Sequence, residues 1–205
     1  MILAIIQARM SSERLPGKVM LPIGGYPILS WVIRAAQDSE LLDEYVVATS
    51  TMASDIRICN FCDENGIPYT TGSLDDVLDR FYQTSLEFMP SHIVRLTADC
   101  PMLTGEIIDK TIRAYFERRV DYVINQVDGV DVEVFPFHSL LIAAKMATSQ
   151  GDREHVTPYI KRISRATLIR HYGKSAGSVD TKEDYERIKG EMECSLNQRG
   201  CLTVL

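Results

Sequence analysis

Short apolar runs alternate with longer amphipathic segments along most of the chain. The apolar runs read "ILAIIQ", "EYVVATS", "IPYTT", "HIVRLTA" and "DYVINQ". The amphipathic segments read "YPILSWVIRAAQDS", "ASDIRICNFCDEN", "SLDDVLDRFYQTSLEF" and "TGEIIDKTIRAYFERR", and Ser73 and Thr104 are the predicted N-caps of the last two. This alternation is typical of βαβ units, in which helices join parallel strands and pack on the sheet. It predicts a Rossmann-like α/β fold with a mostly parallel sheet flanked by helices.

The pattern changes after Asn125. The segment "GVDVEVFPF" alternates apolar and polar positions, which predicts a small antiparallel excursion. Two helical segments, "HSLLIAAKMATS" and "REHVTPYIKRIS", then precede a strand, "ATLIRHY", and a helix, "TKEDYERIKGEME". Since no repeat or long linker divides the chain, we predict a single domain over residues 1–192 and a tail of unassigned role over residues 193–205.

Net charge limits the classes of partner. The 205 residues carry a formal charge of −6, and the pI is about 5.3. Such a balance argues against binding nucleic acid, because phosphate backbones attract strongly basic surfaces. The longest apolar stretches are far shorter than the roughly 18 residues that span a bilayer, and the N-terminus lacks a signal-peptide pattern. We therefore expect a cytoplasmic protein with no membrane or nucleic-acid partner.

The five cysteines do not predict a disulfide framework, since their number is odd and the expected compartment is reducing. Cys59 and Cys62 form a C-x-x-C pair of the kind found in metal and redox sites. Their spacing also suits one face of the predicted helix, and no second pair completes a zinc site. We interpret both as helix-packing residues.

The loop "QARMSSERLPGK" follows the first predicted strand and holds Arg9, Arg14 and Lys18. Ligands of open α/β sheets bind at the carboxyl ends of the strands, and arginine and lysine bind phosphate oxygens. The loop matches neither G-x-x-x-x-G-K-[ST] nor G-x-G-x-x-G, so it predicts neither a Walker ATPase nor a dinucleotide-binding enzyme. On spacing alone, an anion-binding loop and a solvated surface loop are both open.

Six segments together carry a family resemblance. The segment "IIQARMSSERLPGKVMLPIGGYPILSWVI" resembles the N-terminal signature of the cytidylyltransferases that make CMP-activated sugars, a group that includes acylneuraminate and CMP-Kdo synthetases. The segments "GSLDDVLDRF", "VRLTADCPML", "DGVDVEVF", "REHVTPYI" and "SVDTKEDYERI" resemble the spore-coat polysaccharide branch of that family, in the same order. The resemblance extends to about Lys189 and implies a fold of the nucleotide-diphospho-sugar transferase type.

The resemblance also implies an activity. CMP would pass from CTP to an acidic sugar or related acceptor, with release of pyrophosphate, in polysaccharide or cell-surface glycan biosynthesis. Arg9, Arg14 and Lys18 would bind the phosphates and, with Asp99, form the catalytic set. The nucleotide-binding residues implied are Ala8, Arg9, Ser12, Arg14, Lys18, Thr71, Gly72, Ser73, Arg80 and Thr97. One departure is Ala98, where glycine is commoner in the family and where the extra methyl group could crowd the loop.

Two aspartates are the candidate ligands of Mg²⁺, which usually takes one or two carboxylates together with phosphate oxygens and water. Asp99 ends the strand "HIVRLTA", so its carboxylate is expected at the same sheet edge as the basic loop. Asp180 matches the second carboxylate by resemblance. The residues alone allow another interpretation, in which Asp99 forms a turn and Asp180 caps the last helix.

The candidate acceptor-binding residues lie in the branch-specific segments. Asp131 and Glu133 are two apart on a predicted strand and would share one face, although an exposed alternating strand has the same pattern. Arg153, Glu154 and His155 open a predicted helix, where an anionic group is favoured. A helix-capping residue followed by ordinary surface charges would explain the same three residues equally well.

Three alternatives to a CMP-sugar synthetase stay open. The acceptor could be a small phosphonate or phosphate. The chain could be a nucleotide-sugar glycosyltransferase, in which Asp131-Val132-Glu133 would be an acidic metal motif. It could also bind nucleotides without turnover, although the presence of the whole basic and acidic set weakens that alternative. By resemblance alone, we expect a homodimer.

Overall fold

The central sheet runs through the middle of the molecule, and the structure, a computed structural model, describes residues 1–169 and 177–199. Within this part of the chain the strands are β1 (Ile2–Gln7), β2 (Pro22–Ile23), β3 (Tyr26–Pro27), β4 (Glu44–Ser50), β5 (Tyr69–Gly72), β6 (His92–Thr97), β7 (Tyr122–Asn125), β8 (Val132–Pro136) and β9 (Ala166–Ile169). The helices are α1 (Ile28–Gln37), α2 (Ile56–Glu64), α3 (Val77–Phe88), α4 (Gly105–Arg118), α5 (Phe137–Met146), α6 (Gln150–His155), α7 (Thr157–Ile163) and α8 (Lys182–Arg199).

The sheet has the order β5-β4-β1-β6-β8-β7-β9. All of its strands are parallel except β8, which pairs antiparallel with β6 and β7. The predicted mostly parallel sheet with one antiparallel excursion is therefore confirmed. Its carboxyl edge collects the loops that follow β1, β6 and β7, which sets where a ligand can bind.

Strand β1 lies inside the sheet, between β4 and β6, and is apolar from Ile2 to Ile6 because both of its faces are covered. Ala4 and Ile6 pack in one cluster with α1, α2 and α4. Leu3 and Ile5 pack on the opposite face with α3, α5 and α7. Two helical layers therefore fix β1, and with it the loop that follows.

A third, smaller cluster joins α8 to the short hairpin of β2 and β3. The two residues between these strands, Gly24 and Gly25, both have positive φ, 58° and 87°, as a tight hairpin turn requires. Tyr185 of α8 donates a hydrogen bond of 2.6 Å to the Pro22 carbonyl. This packing holds the start of α8 close to the basic loop.

Three predicted boundaries differ from the structure. Asp76, not Ser73, caps α3 and accepts from the Asp79 N–H at 2.9 Å. The single helix predicted over "REHVTPYIKRIS" is split into α6 and α7, because Val156 has φ 67° and ψ −57°, a conformation that no helix accommodates. Helix α8 continues to Arg199, so part of the predicted tail is helical, while residues 200–205 lie outside the described residues.

The side-chain environment of Cys62 agrees with a packing role. Cys62 is buried in the cluster of α1, α2 and α4, and Cys59, Cys62 and Cys100 are free thiols. Over residues 1–169 and 177–199, no helix is both long and apolar enough to cross a membrane.

Candidate active site

A cavity of about 410 Å³ opens at the carboxyl edge of the sheet. It brings together most of the residues predicted for nucleotide, metal and acceptor. The predicted residues that line it are Ala8, Arg9, Ser12, Arg14, Lys18, Arg80, Thr97, Asp99, Glu154, His155 and Asp180. Gln7, Glu13, Val19, Val77 and Ala98 complete the lining. The basic loop therefore lines a cavity that is open to solvent, as an anion-binding loop does.

Lys18 lies between the two predicted metal ligands. Its Nζ donates to Asp99 Oδ2 at 2.6 Å and to Asp180 Oδ1 at 2.8 Å. Arg14 Nη2 also approaches Asp180 Oδ1, at 3.0 Å. Residues separated by 81 and 162 positions in the chain thus meet at one point, and both carboxylates share a single ammonium group.

The charges at this point stabilise one another. Burial alone would lower the pKa of Lys18, but the charge of Asp99 and the hydrogen bonds to both carboxylates outweigh burial and raise the pKa. For Asp180, burial acts against the charged form, and the hydrogen bond and charge of Lys18 reverse this and lower the pKa. Both shifts favour the charged form, so Lys18 and Asp180 are ionised near neutral pH.

This arrangement fits a divalent cation. Two carboxylates that converge on one positive group, beside a cavity with room for phosphate oxygens, are the ligand set that Mg²⁺ prefers. Among the described residues, no cluster of three or more His, Cys, Asp or Glu residues could hold a metal ion. A metal here would therefore need oxygens from a bound ligand as well as those of Asp99 and Asp180.

Asp55 supports the basic loop from behind and was not among the predicted site residues. Its buried carboxylate accepts from the Met10 N–H at 2.8 Å, and from the backbone and hydroxyl of Ser50 at 3.2 and 2.5 Å. The loop after β1 is therefore tied to the end of β4. No sequence spacing indicates this contact, because Asp55 and Met10 are 45 residues apart.

Arg80 is the most deeply buried cation of the cavity wall, with 2% of its surface exposed. Nη1 donates to the Ser73 carbonyl at 2.8 Å, whereas the buried Nε has no hydrogen-bond partner. Burial, together with the nearby charge of Arg9, lowers the pKa of Arg80 to about 10, although Asp55 acts in the opposite direction. Gly72 allows this close packing, because a Cβ there would lie 2.9 Å from Arg80 Cγ.

Thr71, Gly72 and Ser73 do not line the cavity. Ser73 contributes through its carbonyl, which holds Arg80, and through its hydroxyl, which accepts from the Asp76 N–H at 3.0 Å. The structure thus places this segment behind Arg80 rather than at the cavity surface. Its predicted role in nucleotide binding stays a prediction.

Glu133 lies in the sheet core, away from the cavity. It is 3% exposed, and its carboxylate pairs with Arg95 while also accepting from Tyr122, Thr157 and Lys161. Burial opposes ionisation, but Arg95 and Lys161 outweigh burial and lower the pKa of Glu133 to about 2. Because both carboxylate oxygens are engaged by the protein, the geometry assigns Glu133 to the fold and not to the predicted acceptor contact.

Arg153 is likewise engaged by the protein. Its Nε donates to Asp76 Oδ2 at 2.8 Å and its Nη1 to the Ala144 carbonyl at 2.8 Å. The guanidinium therefore links α6 to the N-terminus of α3 and to α5. The prediction that Arg153, Glu154 and His155 open a helix is wrong, because α6 begins at Gln150 behind the N-cap Ser149 and these residues form its C-terminal end. Glu154 and His155 line the cavity, and Arg153 does not.

Gln7 lines the cavity and was also missed from the sequence. Its Oε1 accepts from Arg95 Nε at 3.1 Å. Since Arg95 is itself held by Glu133, the buried pair orients this carboxamide at the end of β1.

Asp131 is half-buried beside other acidic groups and does not line the cavity. Burial, and then the charges of Asp128 and Glu133, raise its pKa to about 6. The folded protein therefore disfavours the ionised form of Asp131. Its predicted contact with an acceptor stays a prediction.

Asp131→Asn is expected to change the pH dependence of stability. Because the pKa of Asp131 is higher in the folded than in the unfolded chain, its stabilising contribution is complete below about pH 4 and is lost as the pH rises through 6. The asparagine variant should therefore be more stable than the wild type at pH 8, by about 1 kcal/mol after discounting for partial exposure, and equal to it near pH 4. Urea unfolding from pH 4 to 8 measures this. Parallel pH profiles for the two proteins would contradict the assignment.

The architecture defines the class of protein. A mostly parallel sheet with a basic loop and two carboxylates at its carboxyl edge is the arrangement of a nucleotidyltransferase. A family model described as cytidylyltransferase matches residues 3–194. The chain therefore belongs to the cytidylyltransferase family, which confirms the family predicted from the six segments.

Two relatives cover most of this chain. An uncharacterised protein of Methanocaldococcus jannaschii is 41% identical over 161 residues, which are 78% of this chain and 66% of the relative. The spore coat polysaccharide biosynthesis protein SpsF of Bacillus subtilis is 36% identical over 203 residues, which are 92% of this chain and 85% of SpsF. A 3-deoxy-manno-octulosonate cytidylyltransferase of Synechococcus elongatus is 35% identical over 117 residues, but this match spans only 56% of this chain and 46% of that enzyme.

Solved structures confirm the fold. A cytidylyltransferase from Leptospira borgpetersenii has a TM-score of 0.83 and 24% identity, with 97% of this chain and 94% of that chain covered. A CMP:2-keto-3-deoxy-manno-octonic acid synthetase solved with CTP has a TM-score of 0.74 and 16% identity, with 95% of this chain and 99% of that chain covered.

Proposed function

We propose that this protein transfers CMP from CTP, with Mg²⁺, to a sugar-like acceptor and releases pyrophosphate. The observation that carries the proposal is the meeting of Lys18, Arg14, Asp99 and Asp180 at one end of an edge cavity. Membership of the cytidylyltransferase family supports CTP as the nucleotide.

The basic loop would bind the triphosphate. Arg9, Arg14 and Lys18 all line the cavity, and guanidinium groups contact phosphate oxygens in pairs while an ammonium acts as a compact charge. Ser12 lines the same wall and could donate a further hydrogen bond. Because Asp55 holds the Met10 N–H, the loop is ordered before the ligand arrives, which reduces the entropic cost of binding.

Asp99 and Asp180 would hold the Mg²⁺ ion, which when bound would neutralise phosphate charge and acidify an acceptor hydroxyl. Lys18 would then exchange its carboxylate partners for phosphate oxygens and donate to the charge that develops at the α-phosphate. The protein would contribute position and charge rather than a covalent nucleophile.

Arg80 is the proposed contact of the nucleoside part of CTP. It is buried in the cavity wall, and its Nε lacks a hydrogen-bond partner. Arg80 also lines the cavity, so its guanidinium could donate to an oxygen or ring nitrogen of the nucleoside.

Glu154 and His155 are the proposed acceptor contacts because both line the cavity. The relative SpsF is named for spore coat polysaccharide biosynthesis, which supports a sugar acceptor and a role in glycan synthesis. An acidic sugar is our first choice, and a small phosphonate is the alternative. The glycosyltransferase alternative is disfavoured, because Glu133 of its Asp131-Val132-Glu133 motif is paired with Arg95 in the core. A cytoplasmic homodimer remains our proposal for the working form.

Calorimetric titration with CTP, UTP, ATP and GTP, with and without Mg²⁺, tests the proposed nucleotide. We expect CTP to bind at least tenfold more tightly than the other three nucleotides, and Mg²⁺ to strengthen its binding. Equal affinity for all four nucleotides would contradict the proposal. A panel of acidic sugars and phosphonates, read by mass spectrometry for cytidine-linked products, then separates the two acceptor classes.

A further inference from the structure

The turn between β7 and β8 crosses the segment that carries Asp180 at very short range. An added Cβ at Gly129 would lie 2.3 Å from the Gly177 carbonyl oxygen, 2.5 Å from its carbon and 2.8 Å from its nitrogen. These contacts are with backbone atoms, which cannot rotate aside as a side chain does. Only glycine at position 129 permits the crossing.

The backbone conformation at the crossing has the same requirement. Gly129 has φ 81° and is the third residue of a turn closed by a 2.9 Å hydrogen bond from the Val130 N–H to the Val127 carbonyl. Among turns closed in this way, those with positive φ at the third residue favour glycine there. The turn is therefore a defined, hydrogen-bonded element against which another segment can be placed.

Hydrogen bonds join the two segments on either side of the contact. The Gly177 N–H donates to the Asp128 carbonyl at 3.2 Å, and the Ser178 N–H to Asp128 Oδ1 at 3.4 Å. One residue further on, the Val179 N–H donates to the Asp99 carbonyl at 2.9 Å. The segment 177–180 is therefore held between the β7–β8 turn and the backbone of the other acidic site residue.

The contacts continue to the Asp180 carboxylate. Ser178 Oγ donates to Asp180 Oδ2 at 3.0 Å, which leaves Oδ1 to accept from Lys18 and Arg14. Displacing residues 177–180 away from the turn would move this carboxylate relative to Lys18. A displacement of about 1 Å near reacting groups can cost about 10²-fold in rate.

We infer that Gly129 is a positioning residue, and that its close crossing with Gly177 sets the distance from Asp180 to Lys18 and, through it, the affinity of the site for a divalent ion. The second half of this inference rests on the proposed function, in which Asp180 is a metal ligand. The first half is a statement about distance and stands on its own.

Gly129→Ala tests the inference, with Gly66→Ala as the matched control. Gly66 also has positive φ, 63°, but an added Cβ there meets nothing within 4 Å, so the control carries the backbone strain without the collision. Mn²⁺ binding to the CTP-saturated protein, followed by electron paramagnetic resonance, should weaken by about 10- to 100-fold in Gly129→Ala. The control should stay within twofold of the wild type, and an equal affinity in Gly129→Ala would overturn the inference.

Two further measurements separate the inference from the proposed function. Asp180→Asn should weaken Mn²⁺ binding at least as much as Gly129→Ala; if it has no effect, the metal assignment fails. In that case a crystal structure of Gly129→Ala tests whether Gly129 sets the distance between Lys18 and Asp180. The inference requires loss of their 2.8 Å contact and is overturned if the contact persists. Should Gly129→Ala not fold, Asp128→Asn, which keeps the side-chain oxygen that accepts from the Ser178 N–H, and Asp128→Ala, which removes it, can be compared: only Asp128→Ala should weaken Mn²⁺ binding relative to Asp128→Asn, by about threefold. Unchanged affinity there would also overturn the inference.

Discussion

Lys18→Met is expected to lower the rate of pyrophosphate release by about 10²- to 10³-fold, or roughly 2.7 to 4 kcal/mol of transition-state stabilisation. The methionine side chain keeps the length and apolar part of lysine but has no charge to place against the phosphates. The fold should persist, because the ionic partners of Lys18 within the described part of the chain, Asp99 and Asp180, both lie in the site. A continuous pyrophosphate assay at saturating CTP, with an acceptor from the panel, measures the loss.

Lys18→Met should strengthen the binding of a metal ion in the absence of nucleotide, although it lowers the reaction rate. In the wild type, the Lys18 ammonium is paired with both carboxylates and competes with a cation for them. Removing it leaves Asp99 without its lysine partner, while Asp180 keeps its contacts with Arg14 and Ser178, so nucleotide-free Lys18→Met should bind Mn²⁺ more tightly than the wild type. Weaker binding would show that the lysine does not compete with the ion.

Lys110→Met is the control for both measurements. Lys110 lies on α4, and its exposed ammonium pairs with Glu106 of the same helix, a contact worth little in stability. Its rate and Mn²⁺ affinity should match the wild type. If Lys18→Met also matched the wild type in rate, the catalytic assignment of Lys18 would be wrong.

Glu133→Gln is expected to destabilise the protein by about 3–5 kcal/mol, because it leaves the Arg95 guanidinium in the core without a compensating charge. Glutamine has almost the same shape as glutamate, so the loss reports charge and hydrogen bonding rather than packing. Arg95 is only 16% exposed on its side chain and Glu133 is 4% exposed, so water cannot replace the missing partner. The free energy of unfolding from urea titration at pH 7 measures the change.

The double variant Arg95→Met, Glu133→Leu provides the control. It removes both charges together, and replacing a whole buried ion pair by apolar groups is often close to neutral. The double variant should therefore recover part of the stability lost in Glu133→Gln.

The pH dependence of stability gives a second check on Glu133. Since the pKa of Glu133 is lowered to about 2 in the folded protein, its contribution is present above about pH 4.5 and is lost as the pH falls through 2. A Glu133→Gln variant within 1 kcal/mol of the wild type would contradict the role assigned to the pair.

Local patterns were sufficient to predict the sheet and the first ligand loop. Buried strands such as "ILAIIQ" are apolar because helices cover both faces, and this apolar composition is evident in the amino-acid sequence. Lys18 and Asp99 were predictable for a related reason, since each follows a parallel strand and the carboxyl ends of parallel strands share one edge. The order of strands across the sheet was not predictable, because it depends on contacts between distant segments.

The alternation of apolar and polar residues in β8 gave a wrong indication of which residues are exposed. An alternating strand predicts one solvated face, yet Val132, Glu133, Val134 and Phe135 are all buried. The acidic residue is tolerated only because Arg95 lies opposite it on β6. The sequence shows neither the antiparallel register of these strands nor the ion pair that follows from it. Glu133 was therefore interpreted as an acceptor-binding residue on an exposed face.

The groups that position the site were the hardest to predict. Gly129 reads as an ordinary turn residue, and only the coordinates show that Gly177 lies against it. Asp55 reads as a helix-start residue, although its carboxylate holds Met10. The doubled glycine at 24 and 25 is by contrast a hairpin signal in the sequence, and the structure places the β2–β3 turn there.

The central claim is that Lys18, Asp99 and Asp180 form one site for the phosphates of CTP and a divalent ion. A crystal structure with Mg²⁺ and a CTP analogue that resists cleavage between the α- and β-phosphates tests it most directly. The account predicts a metal ion bound by Asp99 and Asp180, with the Lys18 ammonium moved from the carboxylates to a phosphate oxygen. A triphosphate bound away from Lys18, or a metal ion bound without either aspartate, would contradict it.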